Sequence, residues 1–251
     1  MSLASPVLEA KGVTKSFGAF TAVRNVSLAV YPQEVVAIIG PNGAGKTTLF
    51  DLLTGRKAPD SGEVSLFGRS VTHEPPWRRV HDGLGRSFQV SSVFPTLTAL
   101  ENVQIGILLA RKQTFQLFGQ ASHAHRAQAA ALLDQVGLSD RMNRVAGELS
   151  YGDQRALELA VALSSRPKVL LLDEPTAGMG AEETDECLGR VKAIAAAENI
   201  PVLFIEHDMS VVFSFATRVI VLVAGEVLVN GAPAVVRADE RVREAYFGES
   251  F

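Results

Sequence analysis

The apolar run Val35-Val36-Ala37-Ile38-Ile39 leads without interruption into Gly40-Pro41-Asn42-Gly43-Ala44-Gly45-Lys46-Thr47. A strand with no polar position is covered on both faces, as at the centre of a parallel sheet. Residues 40–47 fit G-x-x-x-x-G-K-[ST], and residues 46–53 read as a helix that Gly55 can cap. The strand, loop and helix together predict an α/β chain with a phosphate site at the end of a central strand. The loop glycines let backbone N–H groups close around phosphate oxygens, so Gly40, Pro41, Asn42, Gly43, Ala44, Gly45, Lys46, Thr47 and Thr48 are candidate nucleotide contacts. Lys46 can reach the β- and γ-phosphates, and the Thr47 hydroxyl is placed to ligate Mg²⁺ at the helix N-terminus, where the helix dipole also favours anions.

The rest of the chain must build around that unit. At 251 residues it can bury a full core, as one domain or one domain with inserted lobes. A formal net charge of −3 gives no basic surface of the kind nucleic acid requires. One cysteine, Cys187, excludes an intramolecular disulfide, fits a reducing compartment and reads as a packing residue. The apolar stretch 202–223 is broken by Glu206-His207-Asp208 and Arg218, so it reads as two buried strands around a helix and not as a membrane span. Residues 1–6 lack the basic and apolar parts of a signal peptide, and a cytoplasmic protein is expected.

Val26, Leu28 and Val30 alternate with Ser27 and Ala29 as in a half-buried antiparallel strand. A further strand is expected over 63–67, followed by a loop region punctuated by Pro75-Pro76 and Gly83-Leu84-Gly85. From Thr96 to Arg144 the pattern is helical. Thr98-Ala99-Leu100-Glu101 is a capping box, and a helix over 127–136 stops at Gly137. Helices over 151–163 and 182–197 then alternate with strands over 169–172 and 202–205, which argues for a largely parallel sheet with helices on both sides. Two strands around Ala224-Gly225 and a short helical tail complete the chain. His123 and His125 have no cysteine or carboxylate partners at metal spacing and read as solvated.

Between the loop and the strand ending in Asp173-Glu174 lies Leu149-Ser150-Tyr151-Gly152-Asp153-Gln154. With its motifs in this order, the chain resembles the ATPase subunit of an ATP-binding cassette transporter. The resemblance covers nearly the whole chain. It implies an α/β P-loop NTPase (RecA-like) core with an N-terminal antiparallel β subdomain and an inserted α-helical subdomain. The antiparallel part is then 1–34 and 60–72, the nucleotide-binding core 35–59, 73–95 and 151–230, the helical subdomain 96–150, and the C-terminal helical tail 231–251.

The resemblance also implies roles. Asp173 would serve the metal, with Thr47 and Gln89, and Glu174 would be the general base for a water nucleophile. His207 resembles the switch histidine that holds the γ-phosphate and the attacking water. Gln89 resembles the glutamine of the loop that joins the core to the helical lobe. Phe17 resembles the aromatic residue that stacks on adenine, with core packing as its rival. Ser150 and Gly152 would close over ATP bound by an opposing subunit, so a dimer is expected, either of two copies or of two homologous ATPase chains. Two departures stand out: Tyr151 takes the usual place of a glycine, and Gly180 the place of an aspartate that usually ends the loop after the acidic pair.

The Tyr151 variant, Glu206-His207-Asp208-Met209, Ala177-Gly178-Met179, Gly85-Arg86-Ser87-Phe88-Gln89 and Arg243-Glu244-Ala245-Tyr246-Phe247-Gly248 look like importers of branched-chain amino acids and their relatives for urea or short amides. ATP and Mg²⁺ are the implied cofactors. Integral membrane permease subunits and, indirectly, a solute-binding protein are the implied partners, with no nucleic acid. The implied location is the cytoplasmic face of the inner or plasma membrane. The segment from Val90 to Pro95 is a candidate permease contact or a packed part of the lobe. A soluble cassette ATPase acting on DNA or ribosomes, and a lone ATP-binding regulator, are the competing classes.

Overall fold

The computed structural model describes residues 5–87, 93–111 and 125–247, the side chain of Phe247 apart. Its frame is a sheet in which β3 (Val35–Ile39) lies between β8 (Val202–Ile205) and β9 (Arg218–Val223). β7 (Val169–Asp173) and β6 (Leu84–Arg86) extend the sheet in parallel beyond β8, and β10 (Glu226–Gly231) closes the other edge antiparallel to β9. The β9–β10 turn is Ala224-Gly225, at φ 49° and 83°, the positive pair a tight hairpin needs.

Successive residues of the central strands feed opposite cores. Val36 and Ile38, Leu171, Leu203 and Ile205, and Ile220 and Leu222 enter one; Ala37 and Ile39, Leu170 and Leu172, Val202 and Phe204, and Val219 and Val221 enter the other. This period of two on a sheet covered on both sides is why these strands read as unbroken apolar runs.

The first core holds helix α1 (Lys46–Thr54) through Leu49, Phe50, Leu52 and Leu53, closed from above by an antiparallel sheet. That sheet is ordered β2 (Phe20–Val30), β1 (Leu8–Phe17), β4 (Ser61–Leu66), β5 (Arg69–Ser70). Arg79, on α2 (Pro76–His81), is fully buried and donates to the carbonyls of Leu52 and Leu53 at 2.8 Å each, serving oxygens the end of α1 leaves without helical partners.

The second core gathers α3 (Ala99–Ala110), α4 (Arg126–Gln135), α5 (Tyr151–Leu163), α6 (Ala181–Glu198) and α7 (Met209–Phe215) against the opposite face. α8 (Pro233–Ala238) and α9 (Glu240–Phe247) add Val236 and Val242 to it. The expected capping box is present: Thr98 Oγ1 accepts from Glu101 N at 3.2 Å, and Glu101 accepts from Thr98 N at 2.8 Å. Such a cap contributes about 1 kcal/mol.

The stretch from Pro75 to Gly85, expected as loop, instead contains α2 and the start of β6. A strand this short with glycine at its centre shows no alternation to read. Its position comes from contact: a Cβ on Gly85 would lie 2.6 Å from Pro167 Cβ, so only glycine lets β6 reach β7. Helix α5 begins where the helical subdomain was expected to end, and it packs on α3 and α4 as well as α6.

Candidate nucleotide site

β3 ends at Gly40, and two glycines of the loop sit against neighbouring backbone. A Cβ on Gly40 would fall 2.2 Å from the Leu222 carbonyl, and one on Gly45 2.1 Å from the Ala22 carbonyl. Gly43, at φ 78°, has open space beside it. The loop is thus pressed onto β2 and β9 and bare on its outer side. Gly45 caps α1 without any side-chain hydrogen bond, which leaves the first-turn N–H groups of that helix available to an anion. Lys46 is 6% exposed, and its Nζ donates to Gly40 O at 2.6 Å and Pro41 O at 3.0 Å. Burial lowers its pKa, and the nearby charge of Glu174 opposes that shift.

A cleft of about 340 Å³ opens in front of the loop. Its walls are Asn42 to Thr48, Phe20 and Ala22 of β2, and Glu174 with His207. These last two come from the ends of adjacent parallel strands, β7 and β8, and His207 Nε2 lies 2.8 Å from Glu174 Oε1. Glu174 is held at φ 49°, a left-handed conformation rare outside glycine, with its N–H bonded to Ile205 O at 3.0 Å. Glu206 pins the following turn: one oxygen accepts from Thr176 N at 3.0 Å and Thr176 Oγ1 at 2.5 Å, the other from His207 N at 3.0 Å. Asp208 then caps α7, accepting from Ser210 N at 2.8 Å, and that bonding with Ser210 holds its carboxyl below the usual range.

Asp173 lies beneath the cleft, 2% exposed, 3.4 Å from Arg86 Nη2. Burial raises its pKa and Arg86 pulls it back. Arg86 also reaches Thr54 Oγ1 at 3.0 Å and Asp51 at 3.8 Å, over the Phe50 ring. It therefore joins β6, α1 and β7. Sequence reasoning found Arg86 only as part of a motif, because a lone arginine carries no local sign of a buried ion-pair centre. Thr47 and Asp173 offer hard oxygen donors of the kind Mg²⁺ takes beside phosphates and water, and no cluster of three or more His, Cys, Asp or Glu able to hold a metal occurs among the described residues. That donor set fits a metal shared with a triphosphate better than a protein-caged one.

Phe17 and Phe20 face each other across the tip of the β1–β2 hairpin. Phe20 lines the cleft and is 60% exposed; Phe17 is half exposed beside Lys15, its ring 5.9 Å from that ammonium. Sequence reasoning missed Phe20, although the paired Phe-Gly-Ala-Phe tip could have suggested it.

Ser150 and Gly152 open α5 on a different face. Ser150 caps the helix, its Oγ accepting from Asp153 N at 3.2 Å. Both line a second cavity of about 170 Å³ with Met179, Glu183 and Cys187, and neither borders the loop cleft. Cys187 is packed there, its thiol pushed up to about 11 by burial. Gln89, His123 and residues 90–92 lie outside the described residues; of the remainder of that segment, Val93 is buried and Phe94 half exposed.

Residues 23–177 match the family described as "ABC transporter". The chain belongs to the ABC transporter family. It is an ATP-binding cassette of that family, an ATPase, and residues 226–251 match the description "Branched-chain amino acid ATP-binding cassette transporter". Over 99% of its length the cassette is 37% identical to the whole of the high-affinity branched-chain amino acid transport ATP-binding protein BraF of Pseudomonas aeruginosa. Its fold is similar to the ADP conformation of MJ1267, an ABC transporter cassette, with a TM-score of 0.88, 30% identity, and 98% and 100% of the two chains covered. It is also similar to the dimeric post-hydrolysis state of the cassette MJ0796 bound to ADP and Pi, with a TM-score of 0.75, 29% identity, and 90% and 98% covered.

Proposed function

We propose that this cassette hydrolyses ATP to power an importer of branched-chain amino acids, working as one of a pair of cassettes on integral membrane subunits. The observation that carries the hydrolytic part is the 2.8 Å contact of Glu174 and His207 at the mouth of the loop cleft. The likeness to BraF and the C-terminal match support the transported class.

In this reading the loop N–H groups and Lys46 bind the β- and γ-phosphates, and Phe20, or its hairpin partner Phe17, stacks on the adenine. Glu174 takes the proton of a water that attacks the γ-phosphorus, and His207 orients that water and the phosphate. The bond to the β,γ-bridging oxygen breaks, leaving ADP and phosphate. Thr47 and Asp173, with Gln89, would hold Mg²⁺, which when bound neutralises charge on the phosphates.

Ser150 and Gly152 lie off the cleft, which supports their serving a nucleotide held by a second cassette, identical or homologous. The MJ0796 dimer supports such pairing. The likeness to a transport ATP-binding protein supports a place at the cytoplasmic face, held through permease partners. No helix among the described residues is long and apolar enough to cross a membrane.

The test is reconstitution of the full transporter in proteoliposomes. Uptake of leucine, isoleucine or valine driven by enclosed ATP, and lost with Glu174→Gln, is the expected result. Uptake of urea or a short amide instead would move the chain to the sibling branch. ATP hydrolysis stimulated only by DNA or ribosomes would overturn the transport reading.

A further inference from the structure

The turn between β7 and α6 carries Glu174 at one end and is gripped from two sides. On one, Glu206 holds Thr176 by its backbone N–H and its hydroxyl. On the other, the backbone of Gly178, at φ 78°, lies against the ring of Tyr151, and a Cβ there would come 3.3 Å from Tyr151 Cε1 and 3.5 Å from Cζ. The phenol is itself fixed: Arg155 donates to its oxygen from Nη2 at 2.7 Å and from Nε at 3.2 Å. Arg155 in turn is anchored through Nη1 to Glu158 at 2.8 Å, a carboxylate 4% exposed in the α5 interface. An aromatic ring at a half-exposed helix N-terminus would ordinarily be free to rotate. Here its hydroxyl is tied to a buried ion pair and its phenolic end rests against another segment's backbone.

We propose that Tyr151 is a positioning residue that ties the start of α5 to the turn carrying Glu174, so that engagement of a ligand at Ser150 is felt by the hydrolytic carboxylate of the same chain. Ser150 immediately precedes Tyr151, and Gly178 lies two residues beyond Thr176. Movement of the ring therefore passes to a turn whose next fixed point is Glu206, and Glu206 also accepts the His207 N–H. Both members of the Glu174–His207 pair border that path. The departure at 151 fits the turn it meets: the residue is large where a glycine is common, and Gly178 leaves the turn without a side chain where the ring rests. The inference rests on Glu174 being the hydrolytic base, and its test must be separable from that assignment.

Cys187, the only cysteine of the chain, supplies the separation. Its sulfur lies 3.9 Å from the Pro175 carbonyl, and it lines the same cavity as Ser150 and Met179, so its accessibility reports how tightly the turn is held. The experiment compares wild type, Tyr151→Gly, Tyr151→Phe and Gly178→Ala in the full-length protein. It measures ATP turnover and the rate of Cys187 modification by dithionitrobenzoate. Tyr151→Gly is expected to lower kcat about tenfold, in the range for sub-ångström misplacement of a catalytic group. It should leave KM for ATP within about twofold, since the loop contacts are untouched. It should also speed Cys187 modification. Tyr151→Phe, which keeps the ring on Gly178, should restore most of both, and Gly178→Ala, which crowds the ring at 3.3 Å and strains the turn at φ 78°, should reproduce the glycine variant.

Wild-type kcat and wild-type Cys187 rates in Tyr151→Gly would overturn the proposal. So would a fall in kcat with Cys187 unchanged, because the residue would then act elsewhere. Faster modification with unchanged kcat would overturn it as well. Glu174→Gln, run alongside, should lose turnover with Cys187 unaltered; full turnover in that variant removes the base assignment while the Cys187 comparison still decides whether Tyr151 holds the turn.

Discussion

The phosphate-loop face and the signature face, the start of α5 around Ser150 and Gly152, are both proposed to address a nucleotide, yet they are made differently. The loop face is backbone pressed on backbone. Gly40 and Gly45 sit where a side-chain carbon would overlap the carbonyls of Leu222 and Ala22, and the one charged group, Lys46, is bonded to the loop's own oxygens. The signature face is built by side chains, from the Ser150 hydroxyl on the Asp153 N–H to the Tyr151 ring and its Arg155 and Glu158 support. A face built from backbone contact tolerates no substitution at its contact points, whereas one built from side chains can exchange a glycine for a tyrosine if the opposite wall gives way. In the proposed reading the first holds a ligand by itself, and the second completes a site that another chain begins.

This difference can be broken experimentally, most sharply at the chemistry. Glu174→Gln should reduce ATP turnover by about 10³, the scale of a lost general base, while equilibrium binding of ATP stays near wild type. A variant that turns over normally removes the assignment. Next in size is Lys46→Ala, for which calorimetry should record a fall in ATP affinity of about a hundredfold, roughly 2.7 kcal/mol. If affinity is kept, the backbone of the loop suffices and the lysine serves only the reaction.

On the signature face, Ser150→Ala should leave the affinity of the isolated cassette for ATP unchanged. Thermal unfolding should show the loss of one helix cap, about 1 kcal/mol, and turnover of the paired cassettes should fall. Weaker ATP binding by the single chain would place Ser150 in its own cleft and erase the distinction between the faces. The smallest effect concerns the hairpin tip. Phe20→Ala should raise the ATP concentration at half-maximal turnover about fivefold, on the order of 1 kcal/mol for a lost aromatic stack, with Phe17→Ala nearly silent. The reverse ranking would restore Phe17 to the adenine.

Legibility in the sequence divides along the same line. The loop and its helix, the apolar strands and the Thr98 cap were readable because local geometry dictates their residue types. The strand β6 was not, since three residues around Gly85 acquire their role only from contact with Pro167 and β7. Phe20 goes unread beside Phe17 because only the direction of the hairpin tip shows which ring lines the cleft. Arg86 looked ordinary until the fold placed it between Asp51 and Asp173, which lie far apart in the chain. Tyr151 was noticed as an exception to a pattern, but its partner Gly178 was visible only once the turn and the helix met.

The position of β3 has a further consequence, in the order of synthesis. The strand that feeds the phosphate loop pairs with residues 202–205 and 218–221, and Gly225 bonds its N–H to Ala44 O at 3.1 Å and its carbonyl to Arg24 N at 2.8 Å. A nascent chain that has passed the loop but not the last quarter of its length has the glycines and the lysine without the wall that shapes them. Pairings this distant in sequence form late. The ability to grip a triphosphate therefore arrives with the final strands, after the helices that would answer to it have been made.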